Sequence, residues 1–492
     1  MRDALAGPEV ERFRAIVEER LGLVFDEHRR DDLASALSAR LRERGMAAAE
    51  YLQGAAADRG ELMAVAELLT VGETHFFRYP GQFAALEEQV LSYLAERRGN
   101  ARLRILSAGC ASGDEAYTVA MVAHRRHPAL AARMEILGVD ASAAQIARAR
   151  TARYAAWSLR ETPRSYVESF FRKERDEYLL DEQIRRGVEF QVRNLVEPNP
   201  DLFARGRFDV IFCRNVTIYF SPDVTQRLVQ KFATALEPDG FLFLGHTETL
   251  RGVSHDFHLH QLGGAFYYQR RSGAPPPRPR PPERRPEPPL PQPDSGWADQ
   301  IHASVGRVSS IWARRPDGRP TPPPAASASD LLELVRRERF GEAAAALEGL
   351  DAGARGQPQI QLLEAVVRAN RGDLAGAERA CRAVLEEDEL DSGAHFVLGL
   401  CREATEDLPA ARDEYRTAAY LDPEFGIALL RLGVVSRRLG EADEARRAVE
   451  NARVLIRRED DARVLLFGGG FSREALLGLC GSELGTLGGA AR

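Results

Sequence analysis

Apolar residues along this chain follow three rhythms, and each predicts a different kind of element. Over the first hundred residues they recur at helical spacing, so Val10 to Leu21, Arg29 to Gly45, Ala47 to Gln53 and Glu61 to Leu69 each read as a helix. In the second of these, Leu33, Leu37 and Leu41 share one face, and Arg30, Arg40, Arg42 and Arg44 are expected on an exposed basic side that is either a plain solvated face or a dock for an acidic helical partner. From residue 102 to 271 short apolar runs alternate with helical stretches, as in a parallel sheet with crossover helices. The predicted strands are Arg102–Leu106, 134–142, Val188–Asn194, Phe208–Cys213, 240–250 and 265–271. Beyond residue 328 the rhythm is helical again, and it repeats.

Ala343, Ala377, Ala411 and Ala445 stand 34 apart, as do Phe340, Leu374, Leu408 and Ala442, with Gly372, Glu406 and Gly440 at the turns between helices. That period, with small residues where two helices cross, predicts tetratricopeptide-like pairs stacked into a solenoid that offers a groove to a protein or peptide. The expected cap is 461–480, with the glycine-rich 481–492 as a loose tail. Before the repeats, PPPRPRPPERRPEPPLPQP is too proline-rich for helix or sheet and predicts an extended linker across 272–327.

Composition removes several possibilities. A net charge of −6 over 492 residues argues against a nucleic-acid binder. Five scattered cysteines with no CxxC fit a reducing cytoplasm, and no apolar run is long enough for a membrane span, so a cytoplasmic protein is expected. His255, His258 and His260 invite a metal reading, but no carboxylate or cysteine completes a ligand sphere, and no metal is expected.

The candidate chemistry clusters at predicted strand ends, where open α/β sheets bind ligands. RLRILSAGCASGDEAYT (102–118) reads as strand, small-residue turn and helix, suited to close backbone approach to a nucleotide-like ligand, although Gly109 and Gly113 do not form GxGxxG. Asp140 ends the second strand, where a carboxylate can accept both hydroxyls of a ribose; it could equally cap the next helix. Asn194, Arg214 and Asn215 end the third and fourth. In LTVGETHFFRYP (69–80), Phe76 and Phe77 need separate pockets; taken alone the block reads first as hinge packing between the helical domain and the next, and otherwise as Arg78 held rigidly toward a carboxylate. The stretch 154–187, rich in aromatic and charged residues, is either a decorated crossover or a small subdomain.

The blocks GETHFFR, SGDEAY, FCRNVTIYF and PDGFLFLGHTE, in that order, resemble the CheR-type chemoreceptor glutamate methyltransferases from about residue 9 to 271. The resemblance implies S-adenosylmethionine as methyl donor, S-adenosylhomocysteine as product, and glutamates on the cytoplasmic coiled coil of a methyl-accepting chemoreceptor as acceptors. Carried over by motif, Thr74 and Arg78 would meet the cofactor or its reacting end, Glu115 its amino group and Asp140 its ribose. Asn194 and Leu195 would lie by the adenine, Arg214 and Asn215 by the methionine portion, and Tyr219 would line the transfer pocket, with Arg78 and Tyr219 as the catalytic pair. In some members a β-subdomain placed like 154–187 holds a receptor peptide. Gly72 departs from the asparagine many members carry there, and His75 from a small residue.

The expected architecture is therefore α/β: a helical N-terminal domain (1–75, receptor-facing), a Rossmann-like methyltransferase sheet (76–271, insertion about 154–187), a linker (272–327), repeats with a cap (328–480) and a tail. Two other functions fit the same residues: a methyltransferase for another acceptor, and a non-catalytic scaffold that senses cofactor or product and acts through its repeats.

Overall fold

The computed structural model describes residues 7–25, 29–54, 58–70, 72–272, 328–336 and 339–489. The chain divides into two units, Met1–Pro276 and Pro277–Arg492. Nearly all of the expected proline-rich linker lies outside the described residues.

The first unit opens with four helices, α1 (Gly7–Leu21), α2 (Arg30–Arg44), α3 (Ala48–Gly54) and α4 (Arg59–Leu69). Phe13 and Val17 of α1, Leu33 and Leu37 of α2 and Val65 of α4 form their common core. The expected basic face of α2 needs correction. Arg40 is buried, and its guanidinium grips the buried Glu61 of α4 through Nε–Oε1 (2.6 Å) and Nη2–Oε2 (2.9 Å). The Tyr51 hydroxyl (2.7 Å) and Arg44 Nε (2.8 Å) donate to the same carboxylate. A buried carboxylate must be paired, so Glu61 turns Arg40 inward and engages Arg44, which stays exposed.

After α5 (Pro80–Ala85) and α6 (Leu91–Arg98) the chain enters the sheet: β1 (Leu103–Ala108), α7 (Asp114–Arg126), α8 (Pro128–Ala131), β2 (Met134–Asp140) and α9 (Ala143–Thr151). The insertion follows: β3 (Arg153–Ala155), α10 (Arg164–Phe170), β4 (Phe171–Glu174), β5 (Glu177–Leu180) and α11 (Glu182–Arg186). Its three strands form their own antiparallel sheet, β3-β5-β4, so the insertion is a small β-subdomain. Then come β6 (Val188–Val192), β7 (Phe208–Cys213), α12 (Pro222–Ala235), β8 (Leu236–Leu244), β9 (Phe257–Leu262) and β10 (Ala265–Arg270).

The main sheet runs β6-β2-β1-β7-β8-β10-β9, parallel except for β10, which is antiparallel to β8 and β9. Every residue of β7 is buried, which explains why all of them but Asp209 are apolar. The sequence pattern missed β9. It is an edge strand whose residues after Phe257 are polar or only half covered, so no apolar run announces it. Its His260 stacks on Tyr267 at 5.3 Å and bonds Gln269.

The second unit is all helical: α13 (Ala328–Arg336), α14 (Phe340–Glu348), α15 (Ala352–Arg355), α16 (Pro358–Asn370), α17 (Leu374–Glu387), α18 (Ser392–Ala404), α19 (Leu408–Leu421), α20 (Gly426–Arg438), α21 (Ala442–Ile456), α22 (Asp461–Phe467) and α23 (Arg473–Gly489). Ala343, Ala377, Ala411 and Ala445 are all fully buried, each between the helices of a tetratricopeptide-type pair. Phe340, Leu374, Leu408 and Ala442 each begin the second helix of a pair. Gly372, Glu406 and Gly440 all take left-handed backbone (φ 79°, 62° and 83°), the turn geometry that glycine adopts without strain. The segment expected as a loose tail is helical as far as Gly489. Leu476, Cys480 and Leu487 are buried at helical spacing, while Gly478, Gly481 and Gly485 face open space, so glycine content hid a helical stripe. Among the described residues no helix is long and apolar enough to cross a membrane.

Candidate active site

A cavity of about 270 Å³ lies beyond the carboxyl ends of β1, β2, β6 and β7, closed on one side by Leu21, Leu23, Ala66 and Thr70 of the helical lobe. Thr74, Arg78, Glu115, Asp140, Asn194, Leu195, Arg214, Asn215 and Tyr219, separated by up to 145 residues, all line it.

β1 delivers its chain into the floor through Gly109, where a left-handed φ of 77° and a Cβ position only 2.3 Å from Val216 Cγ2 leave room for glycine alone. The next residues wrap Asp140: Ala111 N–H donates to Oδ2 (2.9 Å) and Ser142 N–H to Oδ1 (2.8 Å). Burial pushes the pKa of this carboxyl up, and the backbone donors pull against it. Ser142 itself caps α9 through its Oγ, accepting from Gln145 N–H at 3.1 Å.

Glu115, in the first turn of α7, accepts from Ser107 Oγ (2.7 Å) and meets Arg214 Nη1 at 3.3 Å. Both side chains are largely buried, and desolvation moves each toward neutrality: the Glu115 pKa rises and the Arg214 pKa falls. Arg214 is also held between the Tyr79 and Phe83 rings, at 5.2 Å from each, and donates to the Arg78 carbonyl. Phe76 and Phe77 do find separate pockets. The first packs edge-on to Tyr154 and Phe171 of the insertion, the second to Phe83 and Tyr166. The Arg78 side chain, between them and Tyr79, makes a 3.1 Å bond to the Glu73 carbonyl and a cation–π contact with Tyr79.

Three positioning groups escaped the sequence reading. Glu248 lies in the quoted GHTE block, yet nothing local marks what it does. Its carboxylate accepts from the backbone N–H groups of Gly245 (2.6 Å), Asn215 (2.7 Å), Val216 (3.0 Å) and Thr217 (2.7 Å), and from Thr217 Oγ1 (2.6 Å). It thereby fixes the loop that carries Asn215 and Tyr219. Lys231 Nζ donates to three successive carbonyls, Leu195 (3.1 Å), Val196 (2.9 Å) and Glu197 (2.7 Å), fixing the other wall. Only Lys173 and Lys231 are lysines among 67 basic residues, and a planar guanidinium cannot converge three donors in this way. That rarity was the available signal. Gln145 lies over Gly72, its Nε2 2.3 Å from where a Cβ would stand, and so fills the space an asparagine would take.

The helical lobe is fastened to the same loop: Val24 N–H donates to the Tyr219 carbonyl (2.9 Å), Leu23 bridges Phe220, and the Arg29 guanidinium lies 5.9 Å from the Tyr219 ring centre.

Buried polar atoms of three lining residues, Gln145 Oε1, Arg214 Nε and Asn215 Oδ1, have no hydrogen-bond partner among the described residues. Orphaned polar groups around an open cavity are what a polar ligand satisfies. A juxtaposed carboxylate and guanidinium at one end match an amino-acid zwitterion, and Asp140 at a strand tip matches a ribose. S-adenosylmethionine carries both, and the residues present fit it.

The description "CheR methyltransferase, SAM binding domain" matches residues 72–264. The chain is 30% identical over 272 residues to chemotaxis protein methyltransferase 1 of Pseudomonas aeruginosa, covering 54% of this chain and 98% of that one. It is 34% identical over 216 residues to chemotaxis protein methyltransferase 2 of Vibrio cholerae, covering 43% and 75%. The probable biofilm formation methyltransferase WspC of Pseudomonas aeruginosa is 29% identical over 452 residues, 90% of this chain and 98% of its own, and so extends through the repeats. The chain belongs to the CheR methyltransferase family and is an S-adenosylmethionine-dependent protein methyltransferase with a tetratricopeptide extension.

Proposed function

We propose that this enzyme esterifies glutamate side chains on the cytoplasmic coiled coil of a methyl-accepting receptor, and that its repeats bring it to a protein partner. The observation that carries the reading is the single cavity lined by Arg78, Glu115, Asp140, Arg214, Asn215 and Tyr219. Glu115 and Arg214 would hold the zwitterionic end of S-adenosylmethionine, Asp140 its ribose, Asn194 and Leu195 its adenine, with Thr74 and Asn215 beside the methionine portion. Bound there, the cofactor supplies an electrophilic methyl group.

The chain's own contribution is positional. A surface glutamate has a pKa near 4.3, so the acceptor is ionised at neutral pH and no general base is needed. Arg78 orients that carboxylate, Tyr219 shapes the pocket around it, and the helical lobe excludes water from one side. Acceleration then comes from effective molarity.

In this reading residues 1–75 face the receptor, 76–271 hold the chemistry, 272–327 link and 328–480 recruit, all within the cytoplasm. With Arg40 and Arg44 engaged by Glu61, the docking face falls to Arg30, Arg42 and their neighbours. The WspC relative, named for biofilm formation, supports a receptor outside flagellar chemotaxis. The test is transfer of labelled methyl to receptor fragments by the full chain and by a chain lacking residues 328–492. Base-labile methyl esters on receptor glutamates are expected, formed faster at low receptor concentration when the repeats are present. Tight S-adenosylhomocysteine binding with no turnover on any receptor would instead favour the scaffold.

A further inference from the structure

The inner layer of the solenoid carries an apolar stripe at the repeat period: Leu362 on α16, Phe396 on α18 and Leu430 on α20, each 34 residues from the next. Phe396 and Leu430 are nonetheless buried, at 0% and 4% exposure. At Phe396 the cover is the chain itself. Helix α22 folds back so that the Phe467 ring lies 5.2 Å from both Phe396 and Phe425, and Gly393 leaves the space for it, since a Cβ there would stand 3.2 Å from Phe467 Cζ.

One turn earlier Arg463 lies 5.0 Å over the Phe425 ring and pairs with the buried acids Asp422 and Glu459. The same helix reaches α13 at the other end of the stack. It is not what ends the solenoid, because α23 packs on α21 and α20 and does that. Between α22 and α23 stand three glycines, Gly468 to Gly470, the last two at φ 62° and 81°. A seven-residue helix on a glycine joint, seated on a stripe that repeats along the stack, is an occupant that can leave.

We propose that the stripe centred on Phe396 is the partner-binding surface of the repeats, that α22 keeps it shut, and that the partner is an amphipathic helix carrying an arginine one turn before a phenylalanine, as α22 does. Such a helix enters by displacing α22, so its apparent affinity is reduced by the fraction of molecules in which the groove is closed. This rests on the reading that the repeats recruit a protein.

The test uses the full chain and a fluorescent synthetic peptide of residues 459–471 as the probe, followed by anisotropy. Phe467→Ala is expected to bind the peptide about tenfold or more tighter than the unmodified chain, and adding Phe396→Ala to abolish that gain. Equal binding by both, or binding indifferent to Phe396, overturns the proposal. Arg463→Ala, which leaves the Phe467 ring in place, is expected to give a smaller gain of the same sign. Amide exchange on the unmodified chain needs no variant: α22 should open at least about tenfold faster than α18 and α20, and equal protection would make it an integral part of the fold. A dimer that forms through exchange of α22 between copies, seen by light scattering, would also overturn closure within one chain. If loss of residues 328–492 slows receptor methylation while Phe396→Glu does not, recruitment stands and the groove assignment alone falls.

Discussion

Arg78 sits between Phe77 and Tyr79, both in left-handed backbone (φ 57° and 63°), and two more non-glycine residues at the cavity, Ala111 and Asn215, share that conformation (φ 43° and 58°). Each such residue costs about 1–3 kcal/mol and persists only where the surroundings over-determine it. The strain is held by named contacts: Phe77 by its ring pocket, Asn215 by Glu248. Arg78→Ala is expected to lower receptor methylation by about a hundredfold or more. S-adenosylhomocysteine binding, measured by calorimetry, should change much less; parallel loss of both would make Arg78 a cofactor residue. Glu248→Gln replaces a carboxylate that accepts from four backbone N–H groups with an amide that brings its own donors. At about 1.5–3 kcal/mol per charged hydrogen bond lost, S-adenosylhomocysteine affinity should fall about tenfold or more. Lys231→Arg keeps the charge and loses the convergence on three carbonyls. The expected signature is a KM for S-adenosylmethionine raised several-fold with kcat at saturation nearly unchanged; a fall in kcat alone would remove the positioning role.

Among elements, the tie between α2 and α4 has a measurable pH signature. Bonds from Arg40, Tyr51 and Arg44 hold the Glu61 carboxyl down at about 2, against desolvation that pushes it up. Because folding lowers this pKa, the unfolded chain binds more protons as pH falls, so the stabilisation is complete above about pH 4.5 and is lost progressively toward pH 2. Thermal melts of the unmodified protein should drop across that window, and Glu61→Gln should melt lower at neutral pH with a flatter dependence. The helices themselves were legible from their spacing to within a few residues, and so were the buried strands β1, β2 and β7. Edge strand β9 and the strands of the insertion were not, because a strand half open to water need not carry an apolar run. The inward turn of Arg40 was hidden for a different reason: its partner lies 21 residues away on another helix.

At the scale of the whole molecule, every residue lining the cavity falls between Leu21 and Phe220. The relative of about the size of the first unit matches across 98% of its own length. A chain ending at residue 271 is therefore expected to bind S-adenosylhomocysteine with the affinity of the full chain by calorimetry. A large loss would give the repeats a part in the site itself.

The sequence by itself determined the class of most long elements, the second half of α23 excepted, together with the 34-residue period and the set of strand-end residues that meet in the cavity, because periodicity and motif order are local properties of a chain. Only the tertiary structure decided who pairs with whom. It turned Arg40 onto Glu61, set Glu115 against Arg214, gathered backbone donors onto Glu248 and carbonyls onto Lys231, and laid Phe467 on Phe396. The physical reason is common to all five. Burial obliges a charge or an aromatic face to find a partner, and the partner it finds is fixed by packing between segments, which the order of residues along one segment does not contain.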